Sequence, residues 1–356
     1  MTTPYLGIIE GFFGPPWTWQ EREAYAPYLK SHGYAFYIYA PKGDPFLRKR
    51  WREPMPEDSI SALQGLSKVF HESGLEFGVG LSPFEAYRDY GTEQRSLLQE
   101  KVRALNVLSP DILAILFDDM RGDLPDLASS QIAILEDIRA VTSAKRIIFC
   151  PTYYSNDPIL ERVFGAMPPR YLDDLGVGLD ASIDIFWTGP KVCSTNYPRE
   201  HLVRIAEQLQ RKPFLWDNYP VNDGKVASAH LYLKAFEERG PELADLLSGH
   251  AVNPMKQPLL SRIPLATLPL SYAGGAGYDP AVAFSQSVRR ECGDAVAQLI
   301  CEDVATFHSI GLLGISEEQR SRLVMRYSHY ADDPFCIEIL RWLRGEYAFD
   351  PACLTE

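Results

Sequence analysis

The stretch Asp111-Ile-Leu-Ala-Ile-Leu-Phe-Asp-Asp-Met120 decides the fold. From Ile112 to Phe117 it is apolar without alternation. Successive side chains of a strand point to opposite faces, so a strand that is apolar on both is covered on both, as in a parallel sheet flanked by helices. Seven further runs read the same way: YLGIIEG from Tyr5, AFYIYAPK from Ala35, EFGVGLSPF from Glu76, RIIFCPTYY from Arg146, DIFWTGP from Asp184, PFLWDNYP from Pro213 and HAVNPM from His250. Helix-like patterns lie between them, for example Leu98, Val102 and Leu105 at helical spacing. The first helix opens with the capping-box pattern Thr18-Trp19-Gln20-Glu21 and stops near Gly33, with Pro27 predicted to kink it or split it in two.

Eight β/α units in about 270 residues predict an α/β protein built on a (β/α)8 barrel. A doubly wound sheet is the structural alternative. Its Gly-x-Gly-x-x-Gly turn after the first strand is missing, and Gly11-Phe-Phe-Gly14 does not fit it. The pattern then changes. Ala273-Gly-Gly-Ala-Gly277 reads as a flexible joint, Asp279-Pro280 as a cap and first helical position, and Ser316-Glu-Glu-Gln319 as a second capping box. The expected organisation is a barrel over residues 1–278 and a small helical domain over 279–356.

Composition narrows the function classes. The chain has 356 residues, 46% apolar and 23% charged, with a net charge of -12. Such a surface disfavours nucleic acid and anionic membranes as partners. No apolar run approaches the roughly 18 residues of a membrane span. The amino terminus MTTPYLGIIEGFFG lacks a basic leader, which places the protein in the cytoplasm if Met1 is its native start. The six cysteines (Cys150, Cys193, Cys292, Cys301, Cys336 and Cys353) include no Cys-x-x-Cys pair. The seven histidines form neither His-x-His nor His-Glu-x-x-His. Neither a metal site nor another cofactor is therefore expected.

Unusual residues gather where the apolar runs end: Glu10-Gly11, Lys42, Asp118-Asp119, Tyr153-Tyr154, Trp187-Thr188-Gly189-Pro190, Trp216-Asp217-Asn218 and Asn253. Each has an ordinary reading, since Asp or Asn after a strand commonly caps the next helix and a lone Lys is usually solvated. The ring of them, at the carboxyl ends of barrel strands, marks the face on which such folds build active sites. Where the chain leaves the sheet, alternation lapses and Asp118 and Asp119 can both turn toward the barrel axis. Two carboxylates in one pocket split their acidities, one ionised and one proton-bearing, which is what glycoside hydrolysis needs. Neighbours on one strand end approach the sugar from the same side. They therefore suit a mechanism in which the substrate supplies its own nucleophile.

The motifs GIIEGFFGPPW, YAPKGD, LFDDM, FCPTYY, WTGPKV, WDNYPVND and the Asn253-Pro pair resemble, in this order, glycoside hydrolase family 84 over roughly residues 5 to 270. This is the family of β-N-acetylglucosaminidases that includes the O-GlcNAcases, some bacterial members being described as hyaluronidases. The resemblance implies retaining hydrolysis through an oxazoline formed by the 2-acetamido group. By position, Asp118 would orient the acetamido N–H and support the oxazoline charge, and Asp119 would be the general acid and then the base. Gly11 and Lys42 match positions that bind sugar hydroxyls, and Asp223 and Asn253 those that hold the far side of the ring. Tyr154, Trp216 and Asn218 match the acetamido pocket, with Cys150 and Val192 at its lining. Phe13 stands where many relatives carry Tyr, and Gly224-Lys225 follows Asn222-Asp223. These departures bear on affinity and leaving-group preference.

Three functions are weighed: release of O-linked N-acetylglucosamine from Ser or Thr of proteins or glycopeptides, exo-cleavage of free oligosaccharides, and a catalytically silent glycan-binding module. The adjacent acids speak against the last. By analogy with relatives, the helical part is expected to contribute to a homodimer contact or to a cleft above the site.

Overall fold

The computed structural model describes residues 4–347 and 349–355. Eight strands close into one parallel barrel in sequence order. They are β1 Leu6–Glu10, β2 Phe36–Tyr39, β3 Glu76–Leu81, β4 Ile112–Leu116, β5 Arg146–Cys150, β6 Asp184–Trp187, β7 Phe214–Asp217 and β8 Gly249–Val252. Pairing of Gly7 in β1 with both Phe36 and Ala251 closes the ring, so the doubly wound alternative does not apply. From Ile112 to Leu116 every residue of β4 is buried, as its unbroken apolar run requires.

Aromatic rings fill the barrel interior in a column. Tyr5 stacks on Phe36 at 4.7 Å, Phe186 meets the edge of Phe214 at 5.3 Å, and Phe186 meets Trp216 at 5.1 Å. Gly7 makes room at the bottom, since a Cβ there would lie 2.2 Å from the Phe36 ring. The column fixes Trp216 at the upper end, where the strands release their polar residues.

Thr18 caps the first helix through both arms of the capping box. The helix does split, into Trp19–Glu23 and Tyr25–Ser31. The break falls at Ala24 because Pro27, four residues beyond Glu23, has no N–H to offer that carbonyl. The stretch expected as a flexible joint is ordered instead. Its first glycine ends the helix Leu268–Gly274 and the rest is a single 3-10 turn, Gly275–Gly277, with Gly275 at φ 49°.

Asp279 then caps the helix Pro280–Ala305, which is interrupted at Gly293. The helices Glu317–Ser328 and Pro334–Leu343 follow, the former opened by the Ser316 capping box. Their buried face holds Phe307, Tyr327, Ile339 and Trp342, together with Leu231, Leu260 and Ile263 from the last turns of the barrel. Glu338 crosses this seam and accepts from the Leu259 and Leu260 backbone N–H groups at 3.0 and 2.9 Å, capping the helix Pro258–Leu265. Among the described residues, no helix is long and apolar enough to cross a membrane.

Candidate active site

Beyond β4 the chain keeps one more sheet bond, from the Phe117 N–H to the Cys150 carbonyl at 2.9 Å. It then breaks the strand geometry at Asp119, whose φ is 119°. Side-chained residues rarely adopt that region, and the strain persists only where surrounding structure holds it. Its effect is to cancel alternation, so that consecutive carboxylates both enter one cavity at the carboxyl end of the barrel.

The two acids differ in their partners. Asp118 receives a hydrogen bond at Oδ2 from the buried Lys42 ammonium, while its Oδ1 is buried with no partner among the described residues. Asp119 accepts from the Tyr154 phenol at 3.3 Å. Burial, and next the charge of Asp118, push the Asp119 pKa up to about 7, against the opposing pull of Lys42 and Arg48. The pocket therefore holds a paired carboxylate beside a carboxyl that keeps its proton near neutrality.

A hydrogen-bonded chain builds the wall. The Gly11 N–H donates to Asn253 Oδ1 at 3.1 Å, and Asn253 Nδ2 donates to Asn218 Oδ1 at 3.1 Å. Trp216 Nε1 donates to the same Asn218 oxygen at 2.9 Å, and Asn218 Nδ2 to the Val192 carbonyl at 2.9 Å. A Cβ on Gly11 would stand 2.5 Å from the Trp216 ring, so only glycine lets β1 approach this closely. The Lys42 ammonium lies 5.6 Å above the Trp216 ring centre. Opposite, Asp223 accepts from the Phe13 N–H at 2.8 Å, and burial raises its pKa. All eleven residues expected from the sequence (Gly11, Lys42, Asp118, Asp119, Cys150, Tyr154, Val192, Trp216, Asn218, Asp223 and Asn253) line this one cavity.

Of the other strand-end residues, Thr188 also lines the cavity, whereas Glu10, Tyr153, Trp187 and Asp217 turn away, as the ordinary reading allows. Glu10 is buried against Arg22 and accepts from it at 2.7 and 2.8 Å. Trp187 donates to His201 at 3.0 Å, and Tyr153 to the Gly165 carbonyl at 2.7 Å. Asp217 accepts from Arg239 at 2.9 and 3.0 Å and lies 3.2 Å from His250 Nε2. Burial alone would raise the Asp217 pKa, but the Arg239 guanidinium and His250 reverse that and hold it below the usual carboxylate range.

Sequence reasoning missed two features of the site. Arg48 is buried, with its guanidinium 5.3 Å from the ring centres of both Phe13 and Phe84, and its charge acts on Asp119. The only sequence signal was a run of basic residues, Arg48-Lys49-Arg50, that reads as solvated surface. Cys353 and Thr355, from the last turns of the chain, also line the cavity. Nothing local in Pro351-Ala-Cys-Leu-Thr355 marks them. Among the described residues, no group of three or more His, Cys, Asp or Glu side chains could hold a metal ion.

Residues 6–304 match the family model described as beta-N-acetylglucosaminidase. The chain belongs to that family, glycoside hydrolase family 84. It is 29% identical over 257 residues to the protein O-GlcNAcases of Mus musculus and Rattus norvegicus, a match covering 70% of this chain and 28% of each of theirs. The chain thus spans well under half the length of these relatives. Among solved structures it resembles a mutant O-GlcNAc hydrolase of Thermobaculum terrenum, with a TM-score of 0.79 and 31% identity over 96% of this chain and 81% of that one. The family match includes every expected site residue and runs past the barrel to the end of the helix Pro280–Ala305.

Proposed function

We propose that this chain is a retaining exo-β-N-acetylglucosaminidase that releases N-acetylglucosamine from Ser or Thr of proteins and glycopeptides by substrate-assisted catalysis. One observation carries the reading: the buried, unpartnered Oδ1 of Asp118 beside the proton-bearing Asp119. An acetamido N–H offered to that oxygen aims the amide carbonyl at the anomeric carbon. As the bond from the amide oxygen to the anomeric carbon forms, the glycosidic bond breaks and the Asp119 proton passes to the leaving oxygen. The product is a protonated oxazoline (oxazolinium) whose N–H stays hydrogen-bonded to the Asp118 carboxylate, which balances its positive charge. Asp119, now a carboxylate, takes a proton from water as the water attacks the anomeric carbon, opening the oxazoline with retention.

In this reading Gly11, Lys42, Asp223 and Asn253 hold the sugar hydroxyls, and Tyr154, Trp216, Asn218, Cys150 and Val192 form the acetamido pocket. The barrel, residues 1–278, carries the chemistry. Among the described residues, Asp223 is the one acid lining the cavity from outside the pair that could serve as a conventional enzymic nucleophile. Its pKa is raised by burial and its Oδ2 is taken by the Phe13 N–H, which favours a ring-binding role.

The test compares aryl N-acetylglucosaminide with the corresponding glucoside, whose 2-hydroxyl cannot form an oxazoline. Turnover of the first alone is expected. Comparable rates on both would mean an enzymic nucleophile and end the proposal. Turnover of O-glycosylated peptide in preference to chitobiose separates the protein-directed reading from one directed at free oligosaccharides.

A further inference from the structure

The cavity is small for its assigned task. Its volume is about 70 Å³, whereas small-molecule pockets run to roughly 300–1,000 Å³. Part of the difference is made by the chain itself. Beyond the helix Pro334–Leu343, the Tyr347 carbonyl accepts from the buried Lys256 ammonium at 2.7 Å, which ties the tail to the loop after β8. Asp350 then makes a tight turn, accepting from the Ala352 N–H on its side chain at 2.9 Å and from the Cys353 N–H on its carbonyl at 3.0 Å. The turn sends Cys353 and Thr355 into the lining of the cavity. The Thr355 side chain lies beside the Tyr154 phenol, the group that donates to Asp119.

We infer that the tail from Asp350 to Thr355 is a built-in occupant of the sugar pocket, a peptide segment carrying a hydroxyl residue that competes with substrate and must withdraw before the sugar can bind. The inference rests on the proposed function only in naming the sugar as competitor. The tail is placed from two sides. Thr355 lies beside Tyr154 of the acetamido pocket, and Lys256, near Asp223, holds Tyr347 just ahead of the tail. A tail that fills the pocket in most molecules weakens apparent substrate affinity by the fraction left open, which is about ten-fold if it occupies about nine-tenths of them.

Two changes release the tail and leave the residues assigned to the sugar and to the reaction unaltered. Thr355→Asp in the full chain sets a carboxylate against Asp118, Asp119 and Asp223, and a chain ending at Phe349 removes the segment altogether. For both, KM for an aryl N-acetylglucosaminide should fall by up to about ten-fold with kcat little changed. A synthetic peptide of residues 349–355 should bind each variant in calorimetry and be displaced by N-acetylglucosamine, whereas the same peptide carrying Thr355→Asp should not bind. Unchanged KM in both variants with no peptide binding would overturn the inference and leave the glycosidase reading intact. Peptide binding without turnover by any form would do the reverse.

Discussion

At the scale of single residues, the two acids differ in what the reaction asks of each. In the proposed mechanism Asp119 supplies a proton to the leaving oxygen, a contribution of roughly 10²–10⁴-fold. Asp119→Ala should lose that factor on alkyl or seryl glycosides and much less on dinitrophenyl glycosides, whose leaving group departs unprotonated. Asp118→Asn weakens support for the oxazoline itself, so its penalty should persist with the best leaving groups. Rate against leaving-group acidity for both variants decides this, and parallel slopes would refute the division of roles. The proton on Asp119 also sets the pH response. With its acidity near 7, kcat/KM on unactivated glycosides should fall above that pH by about ten-fold per unit, as a macroscopic property of the coupled pair. Arg48 opposes the upward shift, so Arg48→Gln should let Asp119 keep its proton longer and move the alkaline limb to higher pH. A limb that stays in place or moves down would remove Arg48 from the electrostatics of the site.

At the scale of elements, β7 shows how the site is held. Its two-residue period turns Trp216 and Asn218 into the pocket and Asp217 away from it, where Arg239 and His250 meet it. Arg239 also donates to the Ser194 carbonyl at 3.0 Å and to the Thr195 carbonyl, so one guanidinium fastens the loop carrying Val192 to the end of β7. Arg239→Met would strand a buried carboxylate, at a cost of roughly 3–5 kcal/mol, read as a lower Tm at neutral pH. Because Asp217 is held below the usual carboxylate range, its contribution to stability is present above the ordinary range and is lost as pH falls through its depressed value. The stability gap between the two proteins should therefore narrow on acidification, and a gap that widens would contradict the pairing. The sequence announced Trp216-Asp217-Asn218 as one motif. Only the ion pair with Arg239, 22 positions away, separates its supporting member from its pocket-lining ones.

At the scale of the whole molecule, barrel and helices share a core. Leu231, Leu260 and Ile263 precede residue 278, yet they are buried among side chains of the helices that follow it. Residues 1–278 expressed alone should expose this cluster, bind a hydrophobic dye and melt well below the full chain; an unchanged Tm would show that the seam contributes nothing. Glu338→Leu tests the seam within the intact chain. It leaves the Leu259 and Leu260 N–H groups without their acceptor, at about 1–3 kcal/mol for each, whereas Glu338→Gln retains one acceptor and should cost less. If the two variants melt together, the cap is not what Glu338 provides.

The strands, their order, the barrel and the face carrying the chemistry were legible in the sequence, because burial on both sides of a strand and polarity at its end are written in consecutive residues. The capping boxes at Thr18 and Ser316 were legible for the same reason. Contacts made between distant residues were not. Lys42 reaches Asp118 across 76 positions and Gly11 reaches Asn253 across 242. The ordered turn at Gly275, the place of Arg48 and the path of the tail likewise depend on neighbours that no local pattern names. The adjacency of Asp118 and Asp119 was plain from the start. That both enter one pocket was decided by the φ of Asp119, and that one keeps its proton by burial and by the charge of the other, against the pull of the cations around them. Backbone strain and acidity of this kind are properties of packed surroundings, which exist only once the chain has folded.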